Sequence, residues 1–254
     1  MESNQASKPV AQPASEPVPE PPSEPFVEAA LQEPTQARIQ AGAESYRRPM
    51  LAAYDMFVLG MMSRFMWRCP RGRMLAHYNR QIGAAHLDIG PGTGWFLDKC
   101  RFPVESPSIT LVDLNEVVLA TTARRISRYH PQIRVGDAFQ PFALGAERYD
   151  SVGMNFLLHC LPGSMRQKSV VFDHVTPLLR PGGRVFGSTV LGNGPHHTRR
   201  SGKLLAKLNR SEVFSNLDDR LEDLNEELSA RFTDVETVRT GTVCLFSARL
   251  PGAR

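Results

Sequence analysis

The chain has 254 residues, 41% of them apolar, which suits one sizeable α/β core and gives no sign of a second. Net charge is +4, and the four cysteines are scattered without a C-x-x-C pair or histidines at ligand spacing, so neither a zinc site nor a disulfide framework is indicated. The apolar neighbourhood from Met50 to Trp67 carries Asp55 and Arg64 and is too short to span a bilayer comfortably. The first residues lack the basic-then-apolar order of a signal peptide, so a cytoplasmic protein without membrane contact is expected.

Residues 1–37 are rich in Pro, Glu, Ser, Ala and Gln, with six glutamates against one lysine, and are expected to be a disordered tail. Residues 38–254 then form the single domain. Met50, Tyr54, Phe57, Val58, Met61 and Phe65 recur at three- and four-residue steps, the pattern of one apolar helix face. Pro70 should end that helix, because the residue before a proline avoids the α region. A second helix, roughly 72–81, leads into the first strand, so that 38–83 reads as a helical segment.

Residues 86–97, His-Leu-Asp-Ile-Gly-Pro-Gly-Thr-Gly-Trp-Phe-Leu, place Asp88 at the end of an apolar strand and Gly90, Gly92 and Gly94 at alternating positions after it. Glycines there permit positive φ and let a ligand pack on the main chain. A pyrophosphate-binding turn would be repelled by Asp88 and would want its third glycine where Trp95 stands, so a cationic nucleoside is the better match. Ser108 to Leu114 is a short β-rich run containing Asp113, followed by a helix over 114–126. Asp113 is open to two readings, a helix N-cap or a ligand carboxylate. Ile133 to Phe139, with Asp137 and Ala138, reads as a third strand and its exit turn, Tyr149 to Phe156 as a fourth, and Leu178 to Phe186 as a Pro-Gly-Gly turn into a fifth. The stretch of about 192–216 is basic, holds His196 and His197, and has no assigned element. It reads as a substrate-side insertion or as a surface loop. Leu221 to Phe232 has helical periodicity, and 235–239 and 243–250 alternate as an antiparallel pair joined by Thr240-Gly241-Thr242.

These landmarks, in this order, resemble the class I S-adenosylmethionine-dependent methyltransferases that act on small molecules. The resemblance implies an α/β, Rossmann-like, doubly wound and mostly parallel seven-stranded sheet with a reversed last strand, preceded by a helical lid. It implies that Asp88, Gly90, Pro91, Gly92 and Gly94 hold the methionine end of S-adenosyl-L-methionine, Asp113 the ribose and Asp137 the adenine, with Leu114 and Ala138 also at the cofactor. Asn155 at the fourth strand's end and Tyr54 of the lid are further cofactor candidates, and Tyr54, His77 and Tyr78 are open to two readings, contact with cofactor or substrate, or plain core. Asp150, at the start of that strand, is expected to be structural.

Because the transferred methyl group is already electrophilic, the protein's task is to align a nucleophile and exclude water. His159, after strand four, is the candidate general base for a hydroxyl or amine acceptor. The chain lacks the Pro-Pro-aromatic motif of DNA amino methyltransferases, the Pro-Cys nucleophile of cytosine enzymes and the paired-glutamate loop of arginine methyltransferases, and no carboxylate cluster suggests magnesium. A small organic acceptor, such as a specialised metabolite, is therefore expected, with no nucleic acid, no metal and no predicted oligomeric state. The alternatives are an RNA or protein methyltransferase using the basic segments, a non-catalytic cofactor-binding scaffold, and, disfavoured by Asp88 and Trp95, a nicotinamide-dependent oxidoreductase.

Overall fold

A computed structural model of the chain describes residues 60–192 and 194–252. Tyr54 and most of the first apolar stripe lie outside the described residues. The stripe's last turn, Ser63–Phe65, is helical and stops short of Pro70, which is the N-cap of helix α1 (Arg71–Gln81). Strand β1 (Ala85–Ile89), helix α2 (Trp95–Lys99), β2 (Ser108–Asp113), α3 (Glu116–Arg125), β3 (Gln132–Val135) and β4 (Tyr149–Asn155) follow. Two short helices, α4 (Met165–Lys168) and α5 (Val170–Val175), precede β5 (Leu179–Val190). Helices α6 (Arg199–Arg210) and α7 (Leu221–Ser229) and strands β6 (Thr233–Thr240) and β7 (Val243–Arg249) end the described chain.

The strands form one sheet in the order β3-β2-β1-β4-β5-β7-β6. β1 to β5 run parallel, and β7 enters antiparallel between β5 and β6, as the family resemblance implies. Strand alternation divides the side chains between two cores. On one face Leu87, Ile89, Val152, Met154 and Val185 pack with Phe172 and Val175 of α5 and Leu224 and Leu228 of α7. On the other, Ile109, Leu111, Phe186 and Val243 pack with Met74 and Tyr78 of α1 and Trp95, Phe96 and Leu97 of α2. Each such fully buried large apolar side chain is worth about 1.5–3 kcal/mol of transfer free energy. His86 and Asp88 alternate with Leu87 and Ile89, so they enter the second core as buried polar groups that need partners.

The stretch without an assigned element contains an amphipathic helix. Thr198 and Ser201 make a capping box at the start of α6, and Leu204, Leu205 and Leu208 turn inward. Behind it, Asn216 Nδ2 donates to Val190 O at 2.7 Å, Ser215 N donates to His159 O at 2.8 Å, and Phe214 packs on Trp67 and His159. The basic segment is thus fastened to the ends of β4 and β5 rather than forming a loose surface loop. Asp150 is structural as expected, its Oδ2 accepting from Ala85 N at 2.9 Å while Oδ1 pairs with Arg180.

Candidate functional site

The carboxyl ends of β1, β2 and β4, with the turn after β3, surround a cavity of about 1120 Å³ including its open mouth. In a parallel α/β sheet ligands bind at this edge, because the loops there diverge from one another. Of the residues expected at the cofactor, Asp88, Gly90, Pro91, Gly92, Asp113, Leu114, Asp137, Ala138 and Asn155 all line it. Ile89, Thr93, Trp95, Phe96, Leu97, Asn115, Val118, Gly136, Phe156, Leu157, Cys160, Leu161 and Pro162 complete the wall and were not foreseen as site residues.

Asp88 is almost fully buried. Its Oδ2 accepts from Tyr78 Oη at 2.6 Å and lies 3.3 Å from His86 Nε2. Since the tyrosyl hydroxyl spends its one proton on Asp88, at 3.0 Å it accepts from His86 Nε2–H, and His86 Nδ1 reaches Ser151 Oγ at 2.8 Å. One carboxylate oxygen is therefore fixed from behind by a buried relay. No protein hydrogen bond among the described residues reaches the other, Oδ1. Tyr78 thus reaches the site through Asp88 without lining the cavity, while His77 is turned away and donates to Phe246 O at 2.9 Å. Gly153 makes room for the relay: a Cβ there would sit 3.1 Å from His86 Cε1 and 3.2 Å from Asp88 Oδ2.

The glycines of the loop divide their work. Gly92 has φ +58°, and a Cβ on it would meet nothing within 4 Å, which leaves its backbone exposed to a ligand. Gly94, expected at the cofactor, does not line the cavity: it is the left-handed N-cap of α2, and a Cβ would come within 2.8 Å of Thr122 Cγ2 on α3. Helix packing by itself requires a glycine at this position. Thr122 also ties the loop down, donating from Oγ1 to Gly92 O at 2.8 Å.

Asp113 is not a helix cap. Asn115 caps α3, its Oδ1 accepting from Val117 N, while Asp113 Oδ1 accepts from Asn115 N at 2.8 Å and the carboxylate faces the cavity. Burial pushes its carboxyl up to about 6, against the pull of the Asn115 and Leu114 amides. A raised folded-state value means that Asp113 favours folding below the ordinary carboxylate range and loses that contribution as pH rises toward 6. Recognition of hydroxyl donors runs the other way, because only the carboxylate accepts at both oxygens. Binding of S-adenosylhomocysteine should weaken about tenfold on going from pH 7.5 to about pH 5, and Asp113→Asn should flatten this dependence. Calorimetry at the two pH values checks it, and an equally steep profile in the variant would refute the assignment.

His159 departs from its expected role. It is buried, does not line the cavity, and its Nδ1 accepts a hydrogen bond from Val190 N at 3.2 Å. A backbone amide can only donate, so the neutral ring carries its proton on Nε2 and has no lone pair left to receive one from a substrate. Burial, reinforced by the nearby Lys168 cation, lowers its value to about 3. His159 is a structural link between β4 and β5, and its place beside the site in sequence gives no sign of which way its lone pair points.

A family model described as a methyltransferase domain matches residues 87–185, the span that holds every lining strand end. The chain is 38% identical to demethylluteothin O-methyltransferase of Streptomyces thioluteus, covering 82% of this chain and 90% of that one. The chain belongs to the class I S-adenosylmethionine-dependent methyltransferases. It is also 36% identical to the physcion biosynthesis cluster O-methyltransferase of Aspergillus chevalieri, over 86% and 99% of the two chains. The fold of this methyltransferase matches that of the N-methyltransferase NodS from Bradyrhizobium japonicum, solved with S-adenosyl-L-homocysteine. Its TM-score is 0.57 at 19% identity, covering 83% of this chain and 99% of that one. In this methyltransferase no helix among the described residues is long and apolar enough to cross a membrane.

Proposed function

We propose that the enzyme transfers the methyl group of S-adenosylmethionine to an oxygen or nitrogen of a small organic molecule in specialised metabolism. The observation that carries this reading is the chemistry of the cavity: carboxylates at the ends of β1 and β2 and after β3, opposite a predominantly apolar wall of Phe156, Leu157, Leu161 and Pro162. The Streptomyces and Aspergillus relatives are both O-methyltransferases, which supports the same reading.

The donor set fits the cofactor. Asp88 Oδ1 would take its ammonium, the Gly90-Pro91-Gly92 backbone would lie against its methionyl chain, Asp113 would accept from the ribose hydroxyls and Asp137 from the adenine amine, with Leu114 and Ala138 against the ring. When bound, the cofactor supplies an electrophilic methyl group, whose bond to sulfur breaks as the acceptor's lone pair forms the new one. The chain's own part is to orient the two ligands and keep water out, which aligned geometry in a desolvated site rewards with large rate factors.

The test is calorimetric titration with S-adenosylhomocysteine beside NAD, then product detection by mass spectrometry across phenols, hydroxylated heterocycles and amines. Binding of the first ligand alone, with a methylated small molecule, is expected. Cofactor binding with no small-molecule product would overturn the reading. A second reading, an RNA acceptor, draws on α6: Arg199, Arg200, Lys203, Lys207 and Arg210 are all exposed and, at about 100° per residue, share one face. Steep salt dependence of RNA binding would favour it.

A further inference from the structure

Helix α6 packs one side and leaves the other without a partner. Its inner residues Leu204, Leu205 and Leu208 belong to the core that also holds Trp67 and Phe156, the latter part of the cavity wall. On the outer side Arg199, Arg200, Lys203, Lys207 and Arg210 are all exposed, and at 1.5 Å and about 100° per residue they form one row roughly 16 Å long. The helix contains no acid, and none of the five cations has a hydrogen-bond or ion-pair partner among the described residues.

Such a row is unfavourable for the helix taken alone. Arg199 and Lys203, and again Lys203 and Lys207, stand four residues apart, where like charges repel. Arg199 and Arg200 also occupy the first turn, at the positive end of the helix dipole. An anionic neighbour relieves both.

A second observation narrows the neighbour. Gly202 and Ala206, one turn apart, run along one flank of the row. Glycine inside a helix is destabilising relative to alanine, yet Gly202 does not have positive φ, and a Cβ on it would meet nothing within 4 Å. Neither its backbone nor its own neighbours require a glycine, so this flank is left open to close approach from outside. The row carries no aromatic residue on which a nucleic-acid base could stack. None of the exposed large apolar side chains among the described residues lies on α6, where it could enter a bilayer. Cations recurring at three- and four-residue steps match carboxylates that recur at the same steps on another helix.

We propose that this face of α6 docks an acidic α-helix of a partner protein. Its carboxylates meet the cation row, and its backbone approaches over Gly202 and Ala206. The partner then stands on the outer side of the helix whose inner side backs Phe156, beside the cavity and outside it. The proposal is independent of which atom the enzyme methylates.

The probe is a synthetic alanine-based peptide with a glutamate at every fourth position, titrated into the full-length protein by fluorescence anisotropy. The comparison ligands are the same peptide broken by a central proline, a duplex RNA of equal charge, and phosphatidylglycerol vesicles. The helical peptide should bind about tenfold tighter than the broken one, and its affinity should fall as salt rises. Lys203→Glu combined with Lys207→Glu should lower its affinity by about tenfold or more. Gly202→Leu should raise Tm, because it removes a helix glycine, and should also abolish docking by filling the open flank. Both variants should leave the Kd for S-adenosylhomocysteine unchanged. The proposal is overturned if the helical peptide does not bind, if the broken one binds equally well, or if binding persists in either variant. RNA bound more tightly than the peptide and lost in the lysine variant would assign the face to nucleic acid instead, and vesicles bound in that way would assign it to a lipid surface.

Discussion

Asp88→Ala should weaken S-adenosylhomocysteine binding ten- to a hundredfold, the range that follows from losing about 1.5–3 kcal/mol of hydrogen bonding to a charged group. The size of the effect comes from preorganisation. Tyr78 and His86 hold Oδ2 in place, so Oδ1 is presented to a ligand without the entropy cost of ordering a free side chain. Because alanine also leaves the buried Tyr78 hydroxyl without its acceptor, Asp88→Asn is the companion variant: it preserves shape and an acceptor but removes the charge. Tyr78→Phe, which spares the carboxylate and removes one of its two supports, should cost only several-fold. Calorimetry on the three variants tests the order. Undiminished affinity in both Asp88 variants would remove this carboxylate from the cofactor site.

The largest stability effect is expected at a group away from the cavity wall. Lys168 and Asp219 are both buried, with Nζ donating to the two carboxylate oxygens at 2.8 and 2.7 Å and also to Ser215 O. Burial lowers the lysine's value and raises that of Asp219 to about 6, so each is tolerated as a charge only through the other. Lys168→Met would strand Asp219 as a buried, unpaired carboxylate, and loss of one member of such a pair costs about 3–5 kcal/mol. For a domain of this size that amounts to a fall in Tm of roughly 10 °C. Pairing it with Asp219→Leu should recover most of the loss, since the desolvation cost disappears with both charges. Thermal unfolding of the two single variants and the double variant measures the coupling; a double variant no more stable than Lys168→Met would contradict this account. The pair also bears on the site. It clamps residues 215–219, from which Asn216 and Ser215 reach Val190 and His159 behind the cavity wall.

Much of the fold and of the cavity lining was legible because it depends on local pattern. Alternating apolar runs specify strands, helical spacing specifies the faces that cover them, and a carboxylate followed by closely spaced glycines fits few ligands. What local pattern does not carry is the direction of side-chain lone pairs and the packing around a glycine: Val190 N occupies Nδ1 of His159, Asn115 rather than Asp113 caps α3, and Thr122 lies against Gly94. Helix α6 was signalled by Thr198, Ser201 and the leucines at 204, 205 and 208, a pattern the reading of 192–216 as an insertion or surface loop did not use.

The sequence by itself determined the order of strands and helices, the glycine turn after the first strand and the family, because these rest on periodicity and on contacts between near neighbours in the chain. Only the tertiary structure decided that Tyr78 and His86 brace Asp88, that Lys168 meets Asp219 across 51 residues, and that Asn155 keeps an unused donor. Those depend on which groups distant in sequence are brought within about 3 Å in a medium without water, where every donor and acceptor must be matched or pay for its isolation.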